Sequence, residues 1–417
     1  MRRGVLLVTV LAATLLPRTA SAATAQTFTV TNANGIGAGS LDQAIADANT
    51  NGNPSVIDKI DFAIPGNGPF TINPPNELPD ILEPVIIDGY TQGDATPGTP
   101  ADDARPNDEA GPSTNAIIKI AISMLNSNGD FGLVVDARDV TVRGLDFHDA
   151  RLGVELDHTS GAHIEGNFFG TDPTGTTASN NGSIGVEPNV AGAVIGGPDP
   201  ADRNLISGNA GTGVDFPGPG ARNVTIENNL IGTKPDGTTA LGNGIDGIDI
   251  RESSNANILV TRNVIAKNIN NGVTIQGGGS GTRVLSNAIF LNGGFGIDID
   301  DDGVTPNDHK DPDAGTNHLQ NYPVIASAHA SGGTITVRGS LDSRPRHKYL
   351  IQFFGNDQAG ENGQRLLAQK TLKTKRSGTR PFAVSLSNAT APAYVTATAT
   401  DLRTHDTSEF SVPVLIS

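Results

Sequence analysis

One four-residue pattern dominates the chain: glycine, a β-branched residue or leucine, any residue, then as a rule an apolar one. It occurs at Gly132-Leu133-Val134-Val135, Gly153-Val154-Glu155-Leu156, Gly185-Val186-Glu187-Pro188 and Gly213-Val214-Asp215-Phe216. It returns at Gly247-Ile248-Asp249-Ile250, Gly272-Val273-Thr274-Ile275 and Gly296-Ile297-Asp298-Ile299, at intervals of 21 to 34 residues. Each copy has the period-2 alternation of a short strand and none carries a helical stripe. A single copy has too little apolar surface to form a core. Stacked copies bury one continuous column, which is how a β-solenoid is stabilised. The pattern predicts that Val154, Val186, Val214, Ile248, Val273 and Ile297 line that interior.

A second element follows most tetrads: an alternating strand, an asparagine, then apolar residues, as in Val224-Thr225-Ile226-Glu227-Asn228-Asn229-Leu230-Ile231. Asn167, Asn204, Asn229, Asn263 and Asn287 should therefore meet at one corner, their amides bonded from turn to turn. Two turns are longer than the rest. Asn167 to Ala178 matches Asn229 to Ala240 nearly residue for residue, and both stretches are Pro/Gly-punctuated inserts at the same corner.

The ends read differently. Arg2 and Arg3, the apolar run from Val5 to Leu16, and Ala20-Ser21-Ala22 have the form of a secretory signal cleaved before Ala23. The run is short of the ~20 residues that span a bilayer. The expectation is a secreted, extracellular protein with no membrane insertion. Loss of Arg2, Arg3 and Arg18 takes the formal net charge from −16 to −19, which argues against nucleic acid as a partner. There is no cysteine, so packing, hydrogen-bond ladders or metal must hold the fold. Ser40-Leu41-Asp42-Gln43 is a capping box for a short helix reaching about Asn49, placed to cover the open end of the coil. Residues 93–115 and 300–321 are turn-rich. Beyond them, about seven short alternating strands predict an immunoglobulin-like sandwich.

These residues carry a resemblance. The repeats over 115–305 resemble the right-handed parallel β-helix proteins of the pectin-lyase-like superfamily. Thr27 to Asn32, Gly39-Ser40-Leu41 and Gln43-Ala44-Ile45 resemble the N-terminal segment of bacterial exported β-helix proteins of the CSLREA type. Asp88-Gly89-Tyr90-Thr91-Gln92 and Leu319-Gln320-Asn321-Tyr322-Pro323 look like further marks of that group. The resemblance implies a right-handed parallel β-helix; with the capping helix and the C-terminal immunoglobulin-like β-sandwich read from the residues, the expected chain is all-β. The expected organisation is a signal at 1–22, cap and first turns at 23–114, β-helix at 115–305, acidic linker at 306–321 and sandwich at 322–417. A monomer is expected.

The third residue of each tetrad should face outward: Val134, Glu155, Glu187, Asp215, Asp249, Thr274 and Asp298. At ~4.8 Å between turns, stacked carboxylates must share protons, meet a base or bind a cation. One reading is a solvated acidic face. The other is a polysaccharide site with Glu187, Asp215, Asp246 and Asp249 as catalytic candidates and the two inserts as groove walls. Arg251, Lys234 and Asp172 would then touch substrate. Asp246-Gly247-Ile248-Asp249 resembles part of the first motif of polygalacturonases. The Asp-Asp pair, Gly-His-Gly and Arg-x-Lys are missing, which argues against that activity. A calcium-dependent polysaccharide lyase would need a base, and only Arg251 and Arg151 are placed for it.

Asp298, Asp300 and Asp302, followed by Gly303, fit the first half of a calcium loop. His309 stands where the closing Glu of an EF-hand would be. A different calcium site using Asp308, Asp311 or Asp313, or a plain acidic linker, remain as alternatives. Gly35-x-Gly37-x-Gly39 lacks a βαβ context and is no dinucleotide loop. His148, His158 and His163 are too scattered for zinc. Zero Trp and four Tyr offer little for sugar stacking. Two functions lead, a polysaccharide-active glycoside hydrolase or a non-catalytic surface or matrix protein whose β-helix is a scaffold for adhesion or glycan binding, with the calcium-dependent polysaccharide lyase as a further alternative.

Overall fold

The computed structural model describes residues 24–52, 54–93, 103–127, 131–180, 183–186, 190–251, 256–360, 362–387 and 392–417. The expected signal lies outside them.

The chain winds through three parallel sheets. Sheet one has nine strands, from Thr27–Val30 to Thr282–Leu285; sheet two has eight, from Phe70–Ile72 to Ala288–Phe290; sheet three has seven, from Phe131–Val135 to Ile297–Ile299. Successive turns pair in parallel throughout, so this is a parallel β-helix. The tetrads form sheet three. The alternating strands form sheet one, and the apolar residues after each asparagine form sheet two.

Tetrad alternation accounts for the core. Val154, Ile184, Val214, Ile248 and Val273 stack in register on sheet three and are wholly buried. Each such side chain is worth ~1.5–3 kcal/mol in burial. One tetrad differs from the expectation. Ile184, not Val186, is the residue aligned with Val154 and Val214, and Gly185 pairs with Glu155 and Asp215. The unit at this turn is therefore Ser183-Ile184-Gly185-Val186.

Asparagines build the corner between sheets one and two as expected. Asn167, Asn204, Asn229 and Asn263 each donate, from backbone N–H and side-chain amide alike, to the side-chain oxygen of the next rung. The residue before a rung commonly takes a left-handed backbone, as at Gly166, Arg262 and Ser286, and this turns the strand into the next sheet. A second ladder occupies the corner between sheets two and three. Asn209, Asn243, Asn268 and Asn292 repeat the same bonding.

The outer face of sheet two is covered. Phe168, Leu205, Leu230 and Val264 form a small apolar cluster with Ile118. The inserts turn back over it: each closes on an antiparallel bridge, Thr171 to Ala178 and Thr233 to Ala240. An added Cβ on Gly175 would come within 3.1 Å of Leu205, Pro235 and Phe168. In the described part of the 93–115 segment, Thr114 N donates to Pro235 O at 2.8 Å.

Both ends are closed. Helix Leu41–Thr50, with Ser40 Oγ accepting from Gln43 N, inserts Leu41, Ala44, Ile45 and Ala48 into the core. Gln43 turns to Asp47 rather than completing the capping box. At the other end stand, among the described residues, seven antiparallel strands in sheets of three and four. They enclose a core of their own around Tyr349, Phe353 and Leu386. This sandwich meets the last turn of the coil on all three sheets. Thr407 exchanges bonds with Thr282 and Val284, Ile289 bridges Gly363, and Glu409 accepts from Ile299 N. Phe354 and Phe410 of the sandwich join the core of the coil.

Candidate functional site

The outward face of sheet three carries the acidic column, with a break. The register places Glu155, Gly185, Asp215, Asp249, Thr274 and Asp298 side by side on successive strands. Glycine thus stands where a carboxylate was expected, and Glu187 lies outside the described residues.

Asp215 and Asp249 are direct partners across neighbouring strands. Arg251, two residues past Asp249 on the same face, reaches both carboxylates, at 4.0 Å from Asp215 and 3.3 Å from Asp249. Gln276, the cross-strand partner of Arg251, donates to both oxygens of Asp249 at 2.8 and 3.1 Å. Burial pushes Asp249 up to about 6, against the Gln276 hydrogen bonds and Arg251. Burial also raises Asp215, opposed by Arg251 and Arg151. Two carboxyls on strands ~4.8 Å apart, one held toward its neutral form, are the elements of an acid and nucleophile pair.

Asp246 does other work. Its carboxylate accepts from Asn270 Nδ2, Asn271 N and Thr274 Oγ1, all on the next turn, at 2.8–2.9 Å. Burial raises it despite those bonds. Asn271 continues the chain of contacts to Asp298 and Asp301. This network fastens one turn to the next.

The insert residues are also occupied locally. Asp172 accepts from the backbone N–H groups of Thr176 and Thr177 and from Thr174 Oγ1. In the second insert Asp236 plays that part, two positions later, and its bonds to Thr239 and Thr238 hold it near 2 despite burial. Lys234 N pairs with Thr239 O to close the loop. Since the inserts lie over sheet two, they form no wall beside Asp215 and Asp249.

The expected calcium loop does not assemble. Asp298 accepts from Asn271 and Gly303 N, Asp300 from Thr316, and Asp302 is exposed. Among the described residues, three potential ligand side chains come within 4.8 Å of one another only at Asp308, Asp311 and Asp313.

Sequence reasoning passed over one buried pair. Asp146 and His148, alternate residues of sheet two, meet at 2.7 Å through His148 Nδ1. Burial pushes Asp146 up to about 7, against His148. His148 is raised by Asp146 in spite of its own burial. Its Nε2 lies 3.8 Å from Asp149, which accepts from Ser123 Oγ. The signal available was Asp-x-His within one strand. A crevice of about 210 Å³ elsewhere, beside Arg203 and Arg262, is not near the acidic column. Arg203 is engaged there with Gly111 O and Asn228. Among the described residues no helix is long and apolar enough to cross a membrane.

No family model and no curated protein matches the chain. A solved structure with some likeness is the tailspike protein gp49 from the Acinetobacter baumannii bacteriophage Fri1, a capsular polysaccharide depolymerase. The two are 12% identical, with 88% of this chain and 70% of that one covered at a TM-score of 0.17. A likeness so slight carries no argument about function.

Proposed function

We propose that the protein is exported, and that the outward face of sheet three binds a polysaccharide and hydrolyses it. Asp249 is the proton donor and Asp215 the nucleophile. The observation that supports this most is the in-register pair sharing Arg251, with Asp249 pushed up to about 6. Protonated Asp249 gives its proton to the glycosidic oxygen while the Asp215 carboxylate attacks the anomeric carbon. Water then releases the sugar from Asp215, giving up its proton to Asp249. Arg251 orients both carboxyls and offers a cation to an acidic sugar.

A second reading has an observation of its own. Asp249 is 7% exposed and Gln276 occupies both of its oxygens, which suits a structural carboxyl in a glycan-binding scaffold. A panel of plant and bacterial polysaccharides, read by reducing-end release and by glycan-array binding, separates the two. Turnover lost in Asp215→Asn and in Asp249→Asn, with circular dichroism unchanged, supports the hydrolase. Binding without turnover supports the scaffold, and hydrolysis surviving in the double variant overturns the assignment of the site.

A further inference from the structure

We propose that Asp308, Asp311 and Asp313 form a calcium site at the junction of the β-helix and the sandwich. The three carboxylates supply ligand atoms within 4.8 Å of one another. That span matches a single calcium ion, whose oxygen ligands stand at ~2.3–2.6 Å and so at most ~5 Å apart across it. Two of these carboxylates also have a buried oxygen with no partner. Asp311 is 1% exposed, and its Oδ1 receives no hydrogen bond; nor does Asp308 Oδ1, which is also buried. Buried polar atoms without donors are uncommon in folded proteins, and a bound ion is one of the standard explanations.

The nearby cations do not fill the gap. Arg344 donates to the backbone oxygens of Asp311 and Asp313, not to their carboxylates. His309 faces Asp342. The other oxygen of Asp311 accepts from Ser343 Oγ of the sandwich. The donor set is all oxygen, which selects a hard cation over zinc or copper. The position gives such an ion a purpose. Asp308 is strapped to Asn321 through its backbone N–H and C=O, and Asn321 also donates to Asp342 O. An ion there would join the segment leaving the coil to the first strands of the sandwich. The proposal is independent of whether the protein cleaves a glycan.

The test is isothermal titration of the chelator-treated mature chain with calcium chloride, then with magnesium chloride. One calcium per chain is expected, bound more tightly than magnesium, with a rise in melting temperature. Asp308→Asn and Asp313→Asn should each weaken binding at least tenfold, while Asp298→Asn should leave it unchanged. Asp311→Asn should be most severe, and the other two variants decide the matter if it does not fold. No calcium binding at ~10 mM, well above the weakest usual extracellular sites, would overturn the proposal. So would tighter binding of magnesium, or binding that persists in the Asp308→Asn, Asp313→Asn double variant.

Discussion

Replacing Asp249 by asparagine should make the protein more stable at pH 8 while removing any activity. An ordinary Asp titrates at 3.8, whereas this one is pushed to about 6. A raised carboxyl pKa contributes fully below the unfolded value and costs stability as pH rises through the folded one. The gap corresponds to ~3 kcal/mol lost by pH 8, at ~1.4 kcal/mol per pH unit. Asparagine carries no charge and escapes that cost. That cost is already net of Gln276 and Arg251, since both hold the ionised carboxyl down and the value of about 6 includes them. The expectation is a gain of up to ~3 kcal/mol at pH 8 and little difference at pH 4, with the gap opening as Asp249 ionises. Urea denaturation of both proteins by circular dichroism, from pH 4 to 8, measures it. A difference that does not change with pH, or a variant less stable at pH 8, would show that Asp249 is an ordinary paired carboxylate.

Two further outcomes follow from the frame of the coil. Asn263→Ala strips Asn229 N and Ile226 O of their partners inside the corner, at ~1–3 kcal/mol for each orphaned group. A urea midpoint matching wild type would contradict the ladder's role. Ile184→Asp places an unpaired charge in the wholly buried column at several kcal/mol, and near-wild-type melting would refute the register of that turn.

The register at that turn shows what a sequence can and cannot specify. Gly185-Val186-Glu187-Pro188 matches the tetrad by letter, yet Ile184 is the residue aligned with Val154 and Val214. A slip of two leaves every side chain on its original face, so alternation alone has no power to detect it. Facing itself was legible. Asp215, Asp249 and Arg251 share a face because they alternate along strands, and the first asparagine ladder shows as a recurring residue at a bend. The second ladder was obscured: Asn229 and Asn243 are 14 apart across an insert, while Asn263 and Asn268 are 5 apart. The inserts were recognisable as loops, but their direction depends on apolar contacts with Leu205 and Phe168, which no local pattern encodes. The 308–313 cluster has no period at all. It arises from a turn with left-handed backbone at Lys310 and Asp311 and from Ser343, 32 residues away.

The last turn of the coil has its own consequence. Its strands in all three sheets offer their free side to the sandwich: Thr282 and Val284 to Thr407, Ile289 to Gly363, Ile299 to Glu409. A stack of parallel strands is otherwise a template on which a further chain can add, as in a growing fibre. With a helix plugging one mouth and the sandwich hydrogen-bonded across the other, the stack has a fixed number of rungs. Its length is set by the gene rather than by concentration.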